Sequence, residues 1–203
     1  MAILIDKNTR VLVQGTTGRS GGLQTQTLIE YGTRVVTGVT PGKGGMVVRN
    51  VPVFNFIDEA CLNHEVNAVI SFVPTMVAKD AAFEVIDNGI PLLVLTMEGV
   101  PQKDVNEILS YASGHNTRVI GPGAARIVAP GKCKLGAHPA RMFKEGHIGV
   151  VSKSGALSYE MGKRLTEAGI GQSTVVALGG GSNLGNQSEG DSGTFPKKIL
   201  KHR

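Results

Sequence analysis

The sequence has 203 residues, of which 41% are hydrophobic, so it is long and apolar enough for one large or two small buried cores. Its formal net charge is +5, and four of its positive residues lie within the last seven positions (Lys197, Lys198, Lys201 and Arg203), so the excess does not indicate nucleic-acid binding by the folded body. No apolar run reaches the roughly 18 residues of a membrane span and no cleavage-type leader is evident, which predicts a cytoplasmic protein without a membrane segment.

The first motif is a short apolar strand followed by glycines. Residues 10–14 read Arg-Val-Leu-Val-Gln, and Gly15, Gly18 and Gly21 follow at three-residue spacing before apolar residues at helical intervals. Glycine lets the backbone bend sharply and approach a ligand closely, and a helix that begins there presents N–H groups to a phosphate. We therefore predict a diphosphate-binding turn. Because the spacing differs from GxGxxG, a merely tight turn is the alternative.

The second predicted strand, Arg34–Val39, is followed by a lysine where NAD-binding proteins usually have an acid. An Asp or Glu there binds the ribose hydroxyls, whereas residues 40–45 read Thr-Pro-Gly-Lys-Gly-Gly. A cation suits a ribose that carries a phosphate, which favours NADP or coenzyme A over NAD. The alternative for Lys43 is a solvated loop lysine.

The chain then continues to alternate between strands and helices. Apolar runs and stop signals predict an extended piece at 51–54, a helical turn at 58–64, a buried strand at 68–73, a helix from Pro74 to about residue 88 that Gly89 ends, a strand at 92–95, a helix that includes 105–111, and a strand at 119–120. This order predicts an α/β fold with a doubly wound parallel sheet over residues 1–122.

Ligands of such sheets bind at the carboxyl ends of the strands. This rule places residues 16–20, 40–43, 73–75 and 96–98 along one edge. Glu98 is the carboxylate among them, either as a ligand-binding group or as an exposed residue at a helix start.

Residues 121–146 are rich in glycine and proline, and we interpret them as a linker or a loop-built domain edge. A second unit follows, with a strand at 147–151, a turn at 152–155, a helix at 156–168 and a strand at 173–178. Its Ser-Lys-Ser-Gly turn lacks the GxSxG pattern of serine hydrolases. We expect phosphate binding at this helix start, with simple capping by Ser154 as the alternative. Residues 182–203 are expected to be disordered.

Cys61 and Cys133 lie far apart without metal-ligand spacing. Two such thiols are typical of reduced, structural cysteines rather than of a disulfide. We therefore predict no disulfide and no metal site.

Together these motifs resemble a known family. The segments that match it, in order and at its spacing over about the first 180 residues, are 15–21, 40–45, 96–101, 121–122 and 152–160. They are similar to the α subunit of succinyl-CoA synthetase, also called succinate–CoA ligase. The resemblance implies a Rossmann-like CoA-binding domain (1–122) and the start of a flavodoxin-like ligase domain (123–181). The match stops near residue 181, and the tail (182–203) has no counterpart in the family.

The resemblance also implies an enzyme of the tricarboxylic acid cycle. In this family a hetero-oligomer joins succinate to coenzyme A with ATP or GTP, and the β subunit supplies the site for the nucleotide and Mg²⁺. Carried over by position, the CoA diphosphate would be bound by Thr17, Gly18, Arg19 and Ser20, and a second CoA phosphate by Lys43. The body of CoA would be contacted by Thr96, Met97 and Glu98, and the carboxylate substrate by Tyr159.

The sequence departs from the family pattern at two places. The family's phosphorylated histidine stands in a Gly-His-Ala-Gly context, which none of the five histidines shares (His64, His115, His138, His147 and His202). The family's Gly-Pro-Asn-Cys reads Gly-Pro-Gly-Ala at residues 121–124. We therefore assign no catalytic residue and expect an α subunit or a truncated form of one. A non-catalytic CoA-binding or regulatory paralogue is the alternative, and an NADP oxidoreductase is a third hypothesis.

Overall fold

The computed structural model describes residues 2–123 and 126–179. Its first unit contains seven strands: β1 (Arg10–Gln14), β2 (Arg34–Val39), β3 (Val47–Val48), β4 (Val51–Phe54), β5 (Ala68–Ser71), β6 (Leu92–Leu95) and β7 (Arg118–Ile120). Its helices are α1 (Arg19–Glu30), α2 (Ile57–Asn63), α3 (Ala78–Asp87) and α4 (Gln102–Gly114).

These strands form one sheet in the order β3-β4-β2-β1-β5-β6-β7. All neighbours are parallel except β3 and β4, which are antiparallel. The strand order reverses between β1 and β5, which is where a doubly wound sheet opens a crevice for a ligand. The predicted doubly wound fold is therefore confirmed, and the turn after β1 lies at the reversal point.

Both faces of this sheet are buried, which explains its nearly continuous apolar strands. Along β1, Leu12 faces the side covered by α2, α3 and α4, whereas Val11 and Val13 face the opposite side. The opposite side is covered by Leu28 of α1 and by apolar residues from the second half of the chain: Ile127, Ala129, Cys133, Leu135 and Val176. The two halves therefore share a hydrophobic core.

The second unit contains β8 (Arg126–Ala129), β9 (Cys133–Leu135), β10 (Glu145–Ser152), α5 (Gly155–Glu167) and β11 (Gln172–Ala177). Its sheet has the order β10-β11-β8-β9, in which β10 and β11 are parallel and the other pairs are antiparallel. The strand–turn–helix–strand pattern predicted for residues 147–178 is confirmed. The division into domains at residue 122 stays a prediction.

The interpretation of residues 121–146 as an irregular segment was wrong. β8 and β9 form a hairpin across Gly131, whose positive φ of 73° suits a turn. Thr33 ties the hairpin to the first unit, because its hydroxyl donates to the Lys134 carbonyl at 2.9 Å and accepts from the Lys134 N–H at 3.0 Å. The hairpin is stabilised by burial against the first sheet. Its strands are too short for their sequence alone to indicate this burial.

Smaller differences concern the segment after β5. The strand ends at Ser71 instead of residue 73, and α3 begins at Ala78 after a 3₁₀ turn at Thr75–Val77. Pro74 has extended backbone angles, so the helix does not begin there. Gly89 has a φ of +65° just after α3, as its predicted role as a stop signal requires.

Cys61 and Cys133 are free thiols, as predicted. Within residues 2–123 and 126–179, no helix has both the length and the apolar character needed to cross a bilayer. The predicted disorder of residues 182–203 lies outside the described residues.

Candidate functional site

The turn after β1 depends on two glycines that allow close approach. Gly15 has a φ of +78°, its N–H donates to the Val39 carbonyl at 2.8 Å, and a Cβ there would lie 3.1 Å from the Phe72 carbonyl oxygen. A Cβ on Gly21 would collide with the Gly15 carbonyl oxygen. The glycines therefore let α1 begin directly against the end of β1.

The amino terminus of α1 has no side-chain cap. Gly18 is its N-cap residue, and no side chain there accepts a hydrogen bond from the helix. Gly18, Arg19 and Ser20 are exposed. The first N–H groups of a helix carry the positive end of its dipole and need an acceptor, so this end suits an anion such as a phosphate.

Thr16 and Thr17 have different roles in this turn. Thr16 is fully buried, and its hydroxyl lies 3.0 Å from that of Thr25, so it supports the turn from inside. Thr17 is half-buried, and its N–H donates to the Thr40 hydroxyl at 3.4 Å. This hydrogen bond brings the loop after β2 beside the turn after β1.

Lys43 lies on that loop with an exposed side chain. The loop itself is held by backbone hydrogen bonds, from the Lys43 N–H to the Thr40 carbonyl at 3.1 Å and from the Met46 N–H to the Lys43 carbonyl at 3.2 Å. Gly42 has a φ of +73°, which favours glycine at this position. An ordered backbone with an exposed cation is suited to binding a phosphate that arrives from solvent.

The segment after β6 is held by hydrogen bonds to the ends of neighbouring segments. Thr96 donates its hydroxyl to the Ser71 carbonyl at 2.7 Å, and the Met97 carbonyl accepts from the Gly123 N–H at 2.8 Å. The Glu98 carbonyl accepts from the Thr75 hydroxyl at 3.1 Å. The Met97 side chain packs against the core beside α2–α4, whereas Glu98 is exposed.

The sequence-predicted groups after β1, β2 and β6 thus lie at one edge of the parallel sheet, as expected. Tyr159 lies elsewhere, on α5, where its half-buried ring packs against Val128 and Val175 of the second sheet. The guanidinium carbon of Arg126 lies 4.9 Å from the centre of that ring. Burial lowers the pKa of Arg126, and the charge of Glu98 opposes this effect.

His138, like Arg126, is a residue that no sequence pattern indicated. The residue is 2% exposed, and its ring meets that of Tyr159 edge to face, with 5.5 Å between the ring centres. Burial lowers its pKa to about 3, and the positive charges of Arg126 and Lys134 act in the same direction. Neither ring nitrogen has a hydrogen-bond partner among the described residues. Arg126 and His138 both lie in residues 121–146, which we interpreted as a linker or a loop-built domain edge, so no sequence pattern indicated a role for them.

The second turn differs from the first. The Ser154 hydroxyl accepts from the Leu157 N–H at 3.3 Å and so caps α5. The structure thus shows the capping interaction that was the alternative for this turn. Among residues 2–123 and 126–179, no group of three or more His, Cys, Asp or Glu side chains is placed to hold a metal ion.

Comparison with known proteins shows what the chain resembles. Residues 6–99 match the CoA binding domain family. The α subunit of ADP-forming succinate–CoA ligase from Methanothermobacter thermautotrophicus is 51% identical over 178 residues, which cover 88% of this chain and 60% of that relative. Over most of its length the chain is therefore similar to α subunits of succinate–CoA ligase. The predicted resemblance is thereby confirmed.

Of two further comparisons, one concerns the sequence and the other the fold. The succinate–CoA ligase α subunit of Aquifex aeolicus is 46% identical over 182 residues, or 89% of this chain and 60% of its own length. The chain thus spans about 60% of the curated succinate–CoA ligase α subunits that it matches. The ATP citrate lyase of Methanothrix soehngenii, solved with citrate and coenzyme A, shares the fold with a TM-score of 0.75 at 21% identity, covering 88% of this chain and 32% of that one.

Proposed function

We propose that this chain binds coenzyme A through the first sheet. The observation that carries the proposal is the uncapped start of α1, which lies at the reversal point of a sheet whose residues 6–99 match the CoA binding domain. In this assignment Thr17, Gly18, Arg19 and Ser20 surround the diphosphate, with the N–H groups of Arg19 and Ser20 and the hydroxyls of Thr17 and Ser20 as donors. Lys43 binds a second phosphate of the carrier. Thr96, Met97 and Glu98 contact the body of the carrier from the end of β6.

The proposed activity is that of a succinate–CoA ligase α subunit. The sequence identity of 51% with an ADP-forming enzyme supports this activity. The complete enzyme would join a short carboxylate to coenzyme A in the cytoplasm, with a β subunit that supplies the site for ATP or GTP and Mg²⁺. Tyr159 is assigned to the carboxylate. The phosphoryl-carrying histidine of the family has no counterpart among the five histidines of this sequence.

Calorimetric titration of the chain with coenzyme A tests the binding proposal. We expect saturable binding that is about tenfold weaker for dephospho-CoA and for the Lys43→Ala variant, since each removes one side of a charge-assisted hydrogen bond. Lys153→Ala is the matched control, because Lys153 is an exposed lysine on the second turn. Equal affinities for the two carriers would remove Lys43 from the site, and binding of NADPH without coenzyme A would favour the oxidoreductase.

A second experiment distinguishes a ligase subunit from a regulatory CoA-binding paralogue. The chain is mixed with a cognate β subunit, succinate, coenzyme A and ATP, and succinyl-CoA and acid-labile phosphohistidine are measured. The regulatory alternative predicts binding of coenzyme A with neither product. Formation of succinyl-CoA would establish the ligase activity.

A further inference from the structure

The two sheets end in strands of very different length. The first sheet ends in β3, which has two residues, and in β7, which has three. The second sheet ends in β9, with three residues, and in β10, with eight. Short edge strands prevent pairing between molecules, whereas a long edge strand presents a row of N–H and C=O groups to any strand that approaches. β10 is therefore the sheet edge best suited to binding another strand.

The backbone of β10 shows which groups this edge offers. The Ser152 carbonyl accepts from the Leu178 N–H at 2.9 Å, so the even-numbered residues of β10 bond toward β11. Alternate residues of a strand direct their N–H and C=O groups to opposite edges, so those of His147, Gly149 and Val151 point away from β11. Within the part of the chain that the structure describes, no strand pairs with this second edge of β10.

Apolar side chains accompany the open edge. Ile148 and Val151 of β10 are each 41% exposed, and Leu157 and Met161, which lie one turn apart on α5, are 66% and 50% exposed. β10 also contains neither proline nor lysine, the residues that most often prevent pairing at an edge. A long, exposed and partly apolar edge strand indicates an interaction surface.

The sequence of β10 is complementary to itself in antiparallel pairing. When two copies pair through their outward-pointing residues, Gly149 can lie opposite Gly149 and His147 opposite Val151. In that register Glu145 of each copy lies opposite Lys153 of the other, and both side chains are exposed. A register moved one step in either direction places neither Glu145 opposite a lysine. Since opposite charges across two strands stabilise their pairing, charge complementarity favours a second copy of this chain as the occupant.

We propose that the chain forms a dimer in which two β10 strands pair antiparallel about a two-fold axis at Gly149. The second sheets of the two copies then become one continuous sheet. Such an interface is isologous, so each contact occurs twice, including the pair of Glu145 with Lys153. The inference goes beyond the proposed function and is independent of it, because no residue of β10 is assigned to coenzyme A or to the carboxylate.

Sedimentation equilibrium of the full chain over a range of concentrations tests the proposal, and we expect a reversible monomer–dimer equilibrium. Glu145→Lys places lysine opposite lysine, and Lys153→Glu places acid opposite acid, so each should weaken dimerisation by about tenfold or more. In an equal mixture of the two variants both cross-strand pairs again have opposite charges, so a heterodimer should form. Glu145→Lys also breaks the ion pair of 2.6 Å with Lys132 of its own chain, but mixing does not restore that contact.

The controls distinguish edge pairing from other effects. Lys163→Glu makes the same charge change at an exposed position of α5 and should dimerise like the wild type. Val151→Lys adds a charge to the open edge and should give monomers, while circular dichroism verifies the fold of every variant. A monomeric wild type would overturn the proposal, whether the β10 amides exchange freely or are protected within the same chain. A dimer that survives Val151→Lys, or a mixture without heterodimers, would also overturn it.

Discussion

The two strand–turn–helix units of this chain look alike in sequence and differ at the helix start. In the first unit, α1 begins at Gly18 without a side-chain cap. In the second, Ser154 caps α5, and its own N–H is bonded to the Ser152 hydroxyl at 3.1 Å. The first turn therefore leaves helix N–H groups available to a ligand, whereas in the second turn the serine hydroxyls accept hydrogen bonds from the N–H groups at the helix start. A hydroxyl at the N-cap position is enough to distinguish the two outcomes.

The units also differ in where their polar groups lie. In the first unit they line the sheet edge, where Arg19, Ser20 and Lys43 are exposed. In the second unit His138 is buried under α5, and Tyr159 is half-buried. Exposed groups suit the phosphates of a large carrier, and enclosed ones suit a small ligand. We therefore expect substitutions in the first unit to affect carrier binding and those in the second to affect stability or small-ligand binding.

The largest effect is expected for Gly21→Ala in the first turn. The added Cβ would collide with the Gly15 carbonyl oxygen, so α1 must move away from β1. We expect a loss of about 1–3 kcal/mol in the free energy of unfolding, as for other overpacked sites. Coenzyme A binding should weaken by more than about tenfold, because the helix N–H groups move with the helix.

Urea unfolding and calorimetric titration measure these two quantities. Gly114→Ala is the matched control, because Gly114 also lies in a helix but a Cβ there meets no atom within 4 Å. It should keep wild-type affinity and lose no stability. If Gly21→Ala behaved like this control, the close approach of α1 to β1 would not be needed for the site.

The second largest effect concerns the pH dependence of stability in the second unit. Burial lowers the pKa of His138 from 6.5 to about 3, so the folded chain keeps it neutral while the unfolded chain takes up a proton below pH 6.5. Stability from this residue is thus fully present above pH 6.5 and is lost as the pH falls toward 3. Between pH 7 and pH 5 the loss amounts to about 2 kcal/mol.

Urea unfolding of the wild type and of His138→Phe at several pH values between 7 and 5 isolates this contribution. The variant cannot take up the proton, so its free energy of unfolding should fall less steeply with decreasing pH. The difference in slope matters here, because the substitution also changes packing against Phe143. Parallel slopes would mean that His138 is accessible to protons in the folded chain.

The sequence predicted the first unit well because its signals are local. β2, β4 and β6 have the predicted bounds, since each is an apolar run between turn residues. The hairpin of β8 and β9 was missed, because strands of four and three residues gain their stability from burial against a distant sheet. Arg126 and His138 were also missed because their surroundings depend on distant parts of the chain. Their contacts with Tyr159 join positions far apart in the chain, which no local pattern reveals.

The smallest effects come from a reciprocal pair of serine substitutions. Ser154→Ala removes the cap of α5 and should lower the free energy of unfolding by about 1 kcal/mol, with coenzyme A affinity unchanged. Ser20→Ala lies at the exposed start of α1 and should weaken coenzyme A binding a few-fold, with stability within about 0.5 kcal/mol of the wild type. Urea unfolding and calorimetric titration give the free energy of unfolding and the coenzyme A affinity of each variant. A loss of affinity in Ser154→Ala would mean that the capped helix also serves the carrier, and the contrast between the two helix starts would no longer hold.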